Sequence, residues 1–503
     1  MPLSRRNALC SAAALGGGAL AGLLAAPRRA HAQAGKANVV FSLTLEPDGL
    51  DPTSAAAASI GEVVHYNIFE NLVRIEENGT VSGQLAHAWS QDPAGLRYTF
   101  QLRKDVVFHD GAPMDAQAVC FSLERGRAAQ SGNKAKKALF DNFASVQAPD
   151  PWTVVLGLHH ADATTLFRLG ESTAVILHPD SAAHAATLPV GTGPYQFLQW
   201  KKGWGITLTK APSYRHAASV KLEQATFRFL PDPAVQLAAV QSGEIDVLFN
   251  VATNHATRFR DDPRYQVLLG ASSGKGMLAI NHRRQPLNDL RVRQAITHAI
   301  DREAFIQEVL HGLGRAIGSH FSPSDAGYVH LTGVYPFDPQ RARALLQATG
   351  VRLPLQLSMA LPPTPYARAG GPVVAAALAR VGIEVRLLPV EWAQWLAGPF
   401  KGQFDLTLIN HVEPLDYAIY TDPNYYFGYD SAEFRSLVAR HGAASSARAR
   451  NLLFAQIQRH LAADAVNAWI FAPQLSTVAR KGLRGLWANY PIFAHDLAAM
   501  SWD

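Results

Sequence analysis

The chain has 503 residues, 48% of them apolar and 17% charged, with a formal net charge of +6. That length exceeds one hydrophobic core and suggests about two to four domains. The basic surplus sits in residues 1–32, which hold Arg5, Arg6, Arg28 and Arg29 and no acid. Without them 46 basic residues fall to 42 against 40 acidic ones, a net charge of +2. A nearly neutral remainder, with no Lys/Arg run longer than Lys136-Lys137 or Lys201-Lys202, removes the case for a nucleic-acid partner.

The first segment in chain order is an export signal. Ser4-Arg5-Arg6-Asn7 opens it, an uncharged Ala/Leu/Gly stretch runs from Ala8 to Ala26, and Ala30-His31-Ala32 offers the cleavage pattern after Ala32. The paired arginines suit the twin-arginine route, and an ordinary Sec signal is the alternative. No later stretch is long and apolar enough to cross a membrane. Cys10 leaves with the signal, so Cys120 stands alone and cannot form an internal disulfide. It lies in an apolar helical pattern and is expected to be a buried, inert thiol.

Asn38–Leu43 reads as a strand, Glu46–Pro52 as a turn-rich loop, and Gly61–Leu72 as a helix. Leu96–Leu102 alternates like a strand, His109-Asp110-Gly111 is a tight turn, and Asp115 caps the helix that carries Cys120. Strands follow at 153–158 and 206–209. A helix over Pro233–Ser242 ends at Gly243, and Ile245–Leu248 is a short buried strand. Tyr265–Leu269 and Gly276–Asn281 are strands, Arg291–Leu310 one long helix, and Pro339–Ala348 another closed by Gly350. Strands and helices alternate, so the class is α/β. No Pro/Gly/Ser-rich linker appears, which points to interleaved domains joined by short crossovers.

Blocks spread over most of the chain carry a family resemblance. They include Leu45-Glu46-Pro47, Leu50-Asp51-Pro52, Ile68–Val73, Val107–Gly111, Val190–Tyr195, Ser242–Asp246 and Arg291–Ile296. In their joint order the chain resembles the family 5 extracellular solute-binding proteins of ABC importers, the peptide/nickel/oligosaccharide group. The resemblance implies a type II two-lobed periplasmic-binding-protein fold with an extra subdomain in the first lobe and a two-stranded hinge. Lobe I is expected over 33–80, 190–272 and 477–503, the extra subdomain over 81–189, and lobe II over 273–476. It also implies a monomer in the periplasm that encloses a small solute between its lobes and hands it to an ABC permease in the inner membrane. No cofactor, metal or catalytic activity is expected; the chain has no P-loop, since Lys275 fails that pattern.

Ligands of open α/β sheets meet loops at the carboxyl ends of strands. Trp392 and Trp395 precede a predicted strand, Phe404–Ile409, that runs into Asn410, His411, Glu413, Asp416 and Tyr417. In peptide-binding relatives an acidic residue of this loop holds the ligand's amino group. Glu413 and Asp416 are the candidates, with capping of the next turn as the other role for Asp416. Tyr425 and Tyr426 follow in an aromatic cluster. With Trp392, Trp395 and Tyr417 they could stack on a ligand or pack a core. The loop departs from the peptide binders' pattern, so a nickel chelate, an opine or an oligosaccharide stands as the alternative ligand, with His411 as metal contact. Gly270-Ala271-Ser272-Ser273-Gly274 matches the G-x-S-x-G of hydrolases, but a strand is predicted after it where that chemistry needs a helix. His159-His160 and Asp162 lack metal-site spacing.

Overall fold

A computed structural model describes residues 37–503 apart from 56, 252–255 and 445. The export signal, Cys10 and the cut after Ala32 lie outside the described residues. The fold has two lobes built on one 12-stranded mixed sheet, with a separate four-stranded antiparallel sheet in the first lobe.

In the first lobe, Asn38–Leu43 pairs in parallel with Gln224–Phe229 and, through Phe41, with Val247. Its inward side chains bury completely, and Phe41 stacks on Phe227 at 5.2 Å between ring centroids. Each such side chain contributes about 1.5–3 kcal/mol of burial. The small sheet joins Ala86–Gln91, Arg97–Leu102, Thr153–Leu158 and Phe143–Asp150. The helix Ala116–Arg127 packs on it, with Asp115 accepting from the amides of Gln117 and Ala118 as its cap. In the second lobe, Ile383–Pro389, Leu355–Leu361, Leu406–His411 and Lys275–Ile280 lie side by side.

One 13-residue strand, Ala468–Arg480, belongs to both lobes. Its first half pairs with Gly276–Leu278 and Gly314–Ala316, its second half with Tyr265–Ala271 and Val247–Leu248. The chain therefore crosses between lobes at Ser272–Gly274 and again at Pro473–Gln474. The Ser272 hydroxyl ties the crossings together by donating to the Pro473 carbonyl at 2.7 Å. A strand, Lys275–Ile280, follows Ser272 rather than a helix, so the hydrolase-like motif is part of a crossover.

Most predicted elements stand where the pattern put them; Pro233–Ser242 ends at Gly243 with φ +83°. Four expectations change. The helix expected over 61–72 is Ala58–Val64. It stops because Tyr66 takes φ +64° and its amide bonds to the Phe69 carbonyl, so Ile68, Phe69 and Leu72 bury from a turn. The helix expected over 291–310 is two, Leu290–Ala299 and Arg302–Leu310, because the Asp301 side chain caps a fresh start at Ala304. The strand expected over 404–409 is Leu406–His411, which draws Asn410 and His411 into the sheet. Cys120 is half-buried rather than buried. Burial and the nearby Glu124 and Asp115 push its thiol pKa up, which leaves little thiolate. Among the described residues no helix is long and apolar enough to cross a membrane.

Candidate functional site

The site begins where two antiparallel strands of the second lobe end together. Lys275 faces His411 and Gly276 faces Asn410 across the pair. Only glycine fits at 276, since a Cβ there would stand 2.3 Å from the Phe471 ring. Beyond His411 the chain turns through Val412–Leu415 into a short 3-10 helix, Asp416–Thr421.

A buried polar network holds this turn. Lys275, 1% exposed, donates through Nζ to the Glu413 carbonyl and to Asp416 Oδ1, the latter at 2.8 Å. His320 Nε2 lies 2.8 Å from the same oxygen, and His411 Nδ1 lies 3.1 Å from Oδ2. Tyr420 and Tyr426 hydroxyls meet the outer nitrogens, Nδ1 of His320 at 2.9 Å and Nε2 of His411 at 3.0 Å. Burial opposes charge on Asp416, yet His320, Lys275 and His411 hold its carboxyl well below the usual range. Burial pushes His320 down to about 4, so its imidazole is neutral at pH 7.

The expectation for Asp416 is therefore corrected. Its oxygens are occupied by the protein's own donors, and no cap bond leaves it for the following turn. It neither awaits a ligand nor caps. His320, His411 and Asp416 offer ligand atoms within 4.8 Å of one another. The donors are turned inward and Lys275 adds a positive charge, so the set fits an ion-pair network better than a cation site. With both ring nitrogens engaged, His411 has none to offer a metal chelate.

Glu413 contrasts with it. The residue is exposed, its Oε2 accepts only the Val412 amide at 3.2 Å, and among the described residues no ion pair holds it. Across from it in the first lobe, burial raises the Glu171 pKa, against Arg168 and Lys134, with the Glu413 charge adding to the rise. Asn410 donates its amide to the Tyr366 hydroxyl at 3.0 Å, while its Oδ1 is buried without a hydrogen-bond partner.

The aromatic candidates divide. Trp395 is 3% exposed and donates Nε1 to Thr407 Oγ1 at 3.0 Å, so it is core. Tyr417 is core as well, bonded to His441 at 3.1 Å and packed on Phe321 and Phe454. Tyr426 is buried against His411. Trp392 stacks on Trp395 at 5.2 Å with its outer face exposed, and Tyr425 is half-buried beside Phe400.

Sequence reasoning missed Lys275 and His320, because nothing in their local pattern marks a buried cation or its partner. It also missed a first-lobe wall of Tyr66, Phe167, Trp487 and Tyr490, against which Leu415 packs. Those residues come together only through the chain's return to the first lobe.

Comparison with known proteins agrees with this architecture. Residues 80–435 match the family described as bacterial extracellular solute-binding proteins, family 5 Middle. The chain is 26% identical over 438 residues to di/tripeptide-binding protein 1 of Pseudomonas aeruginosa, covering 80% of each chain. NikA from Brucella suis, solved with Fe(III)-EDTA, superposes with a TM-score of 0.80 at 23% identity over 93% of this chain and 100% of that one. DppA from Helicobacter pylori, solved with the peptide STSA, gives 0.74 at 23% identity over 93% and 98%.

Proposed function

The chain belongs to the family 5 bacterial extracellular solute-binding proteins, and on that premise we propose that its cargo is a small solute carrying a free amino group, of dipeptide size. It is the substrate-binding component of an ABC importer. The carrying observation is the spare acceptor capacity at the end of the Leu406–His411 strand, the partnerless Asn410 Oδ1 and the exposed Glu413 carboxylate. A partnerless amide oxygen and an exposed carboxylate that accepts only one backbone amide suit an N–H-rich, positively charged group. A carboxylate facing an ammonium contributes about 1.5–3 kcal/mol net. The di/tripeptide-binding relatives support the same ligand class.

The lobes, bounded as 33–80 with 190–272 and 477–503 for the first and 273–476 for the second, with the subdomain at 81–189, close on the solute by hinge motion at the two crossovers. Trp392 and Tyr425 line the approach. The leader directs a monomer to the periplasm, by the twin-arginine or Sec route, and an inner-membrane permease receives the solute without chemical change to it.

The test is native mass spectrometry of protein taken from its own cells without refolding. A co-purified amine supports the reading. For empty protein, a thermal-shift screen of dipeptides against their N-acetyl forms decides. Stabilisation by the free amines alone is expected, and stabilisation only by sugars or metal chelates overturns it.

A further inference from the structure

Lys275 comes directly after the first interlobe crossover and is almost wholly buried. An ammonium there is costly unless paired and hydrogen-bonded. Its partners are Glu413, through the carbonyl, and Asp416, through the carboxylate. Those residues flank Leu415, which sits at φ +50°. That backbone state costs a residue with a side chain about 1–2 kcal/mol and persists only where its surroundings over-determine it. Ser273 adds a third tie by donating its hydroxyl to the Val412 carbonyl at 2.7 Å. Ser273 in the crossover and Lys275 just after it thus hold positions 412, 413 and 416. From the far side, His320 and His411 fix Asp416.

We infer that Lys275 is the positioning residue of the ligand-binding loop. It presents Glu413 to the solute's amino group, and by neutralising Asp416 it leaves Glu413 as the loop's free carboxylate. The loop is thereby tied to the hinge crossover as well as to the strand it leaves. The inference rests on the amine reading of the site for its ligand consequence, but not for the loop's order.

Two measurements on Lys275→Met, which keeps the volume and removes the charge, test it. The first is hydrogen exchange of the ligand-free protein. Amides of 412–418 are expected to exchange about tenfold faster or more, while those of Leu406–His411 and of the first lobe keep their protection. Unchanged loop protection overturns the inference, as does a uniform loss over the whole chain. The second is the affinity for L-alanyl-L-alanine against its N-acetyl form. A free-amine preference in the wild type that shrinks about tenfold in Lys275→Met supports the inference, and a preference that survives overturns it. If the wild type shows no free-amine preference, the ligand reading fails by itself and the exchange measurement still decides the role of Lys275. Should Lys275→Met not fold, Lys275→Gln is read in the same way.

Discussion

Two carboxylates, one buried in the first lobe and one largely buried in the second, are held by buried cations and serve different ends. Glu70 takes both Nη atoms of Arg215 at 2.6 and 2.7 Å and the Thr192 hydroxyl at 2.9 Å, with side chains 1% and 6% exposed. Asp416 takes Lys275 and two histidines. The first set joins two scaffold segments, Ile68–Val73 and Val190–Tyr195, which approach so closely that a Cβ on Gly191 would lie 2.0 Å from the Ile68 carbonyl. The second set shapes a loop whose next acidic neighbour is free. Burial of an ion pair therefore does not by itself mark a site.

The largest effect expected is from acid, and it reaches both regions. Burial holds His65 and His495 in the first lobe at about 3, and His282, His320 and His441 in the second at about 4. The unfolded chain takes up protons on these residues below about 6.5 while the folded one does not. Their contribution to stability is thus complete above that value and is lost as pH falls towards 4. Glu62, raised to about 7, Asp325, raised to about 6, and Glu171 and His460, also raised, act oppositely, while His109, lowered by burial, adds to the histidine side. Melting temperature should drop steeply between pH 7 and pH 5, and a flat profile would contradict the neutral assignment of the histidines.

Glu70→Gln comes next. It leaves Arg215 charged in the core and should cost about 3–5 kcal/mol of unfolding free energy. Denaturant titration measures that loss, and solute affinity of the folded fraction should not change. If affinity falls as well, the division between scaffold and site is wrong.

Glu413→Gln should behave in reverse. Calorimetry with an amine-bearing solute is expected to show a loss of about 1.5–3 kcal/mol, roughly ten- to a hundredfold, with stability unchanged. Equal affinity in the two proteins removes Glu413 from the site. The smallest effect belongs to Ser272→Ala, about 0.5–1.5 kcal/mol for its bond to Pro473. A fluorophosphonate should label neither wild type nor variant, and labelling that depends on Ser272 would restore the hydrolase reading.

The α/β class, most strands and the capped helices were legible because their signals are local. Alternation gave the strand at Arg97–Leu102, Asp115 and Gly243 punctuate helices, and a G-x-S-x-G motif followed by a strand is not an elbow. Locality also explains the misses. The apolar period ran unbroken through 291–310, and only Asp301's own side chain decided where one helix stopped and another began. Aromatic composition did not separate Trp395 and Tyr417, which are core, from Trp392 and Tyr425, which keep an open face.

By itself, then, the sequence determined most of the secondary elements and the family, since each rests on residues close along the chain or on their order. Tertiary structure decided which of two acids three residues apart is free. That choice depends on Lys275 and His320, which stand 141 and 96 residues from Asp416 in sequence. Only the folded chain brings that ammonium and that imidazole within reach of one carboxylate, where low dielectric makes their pairing decisive.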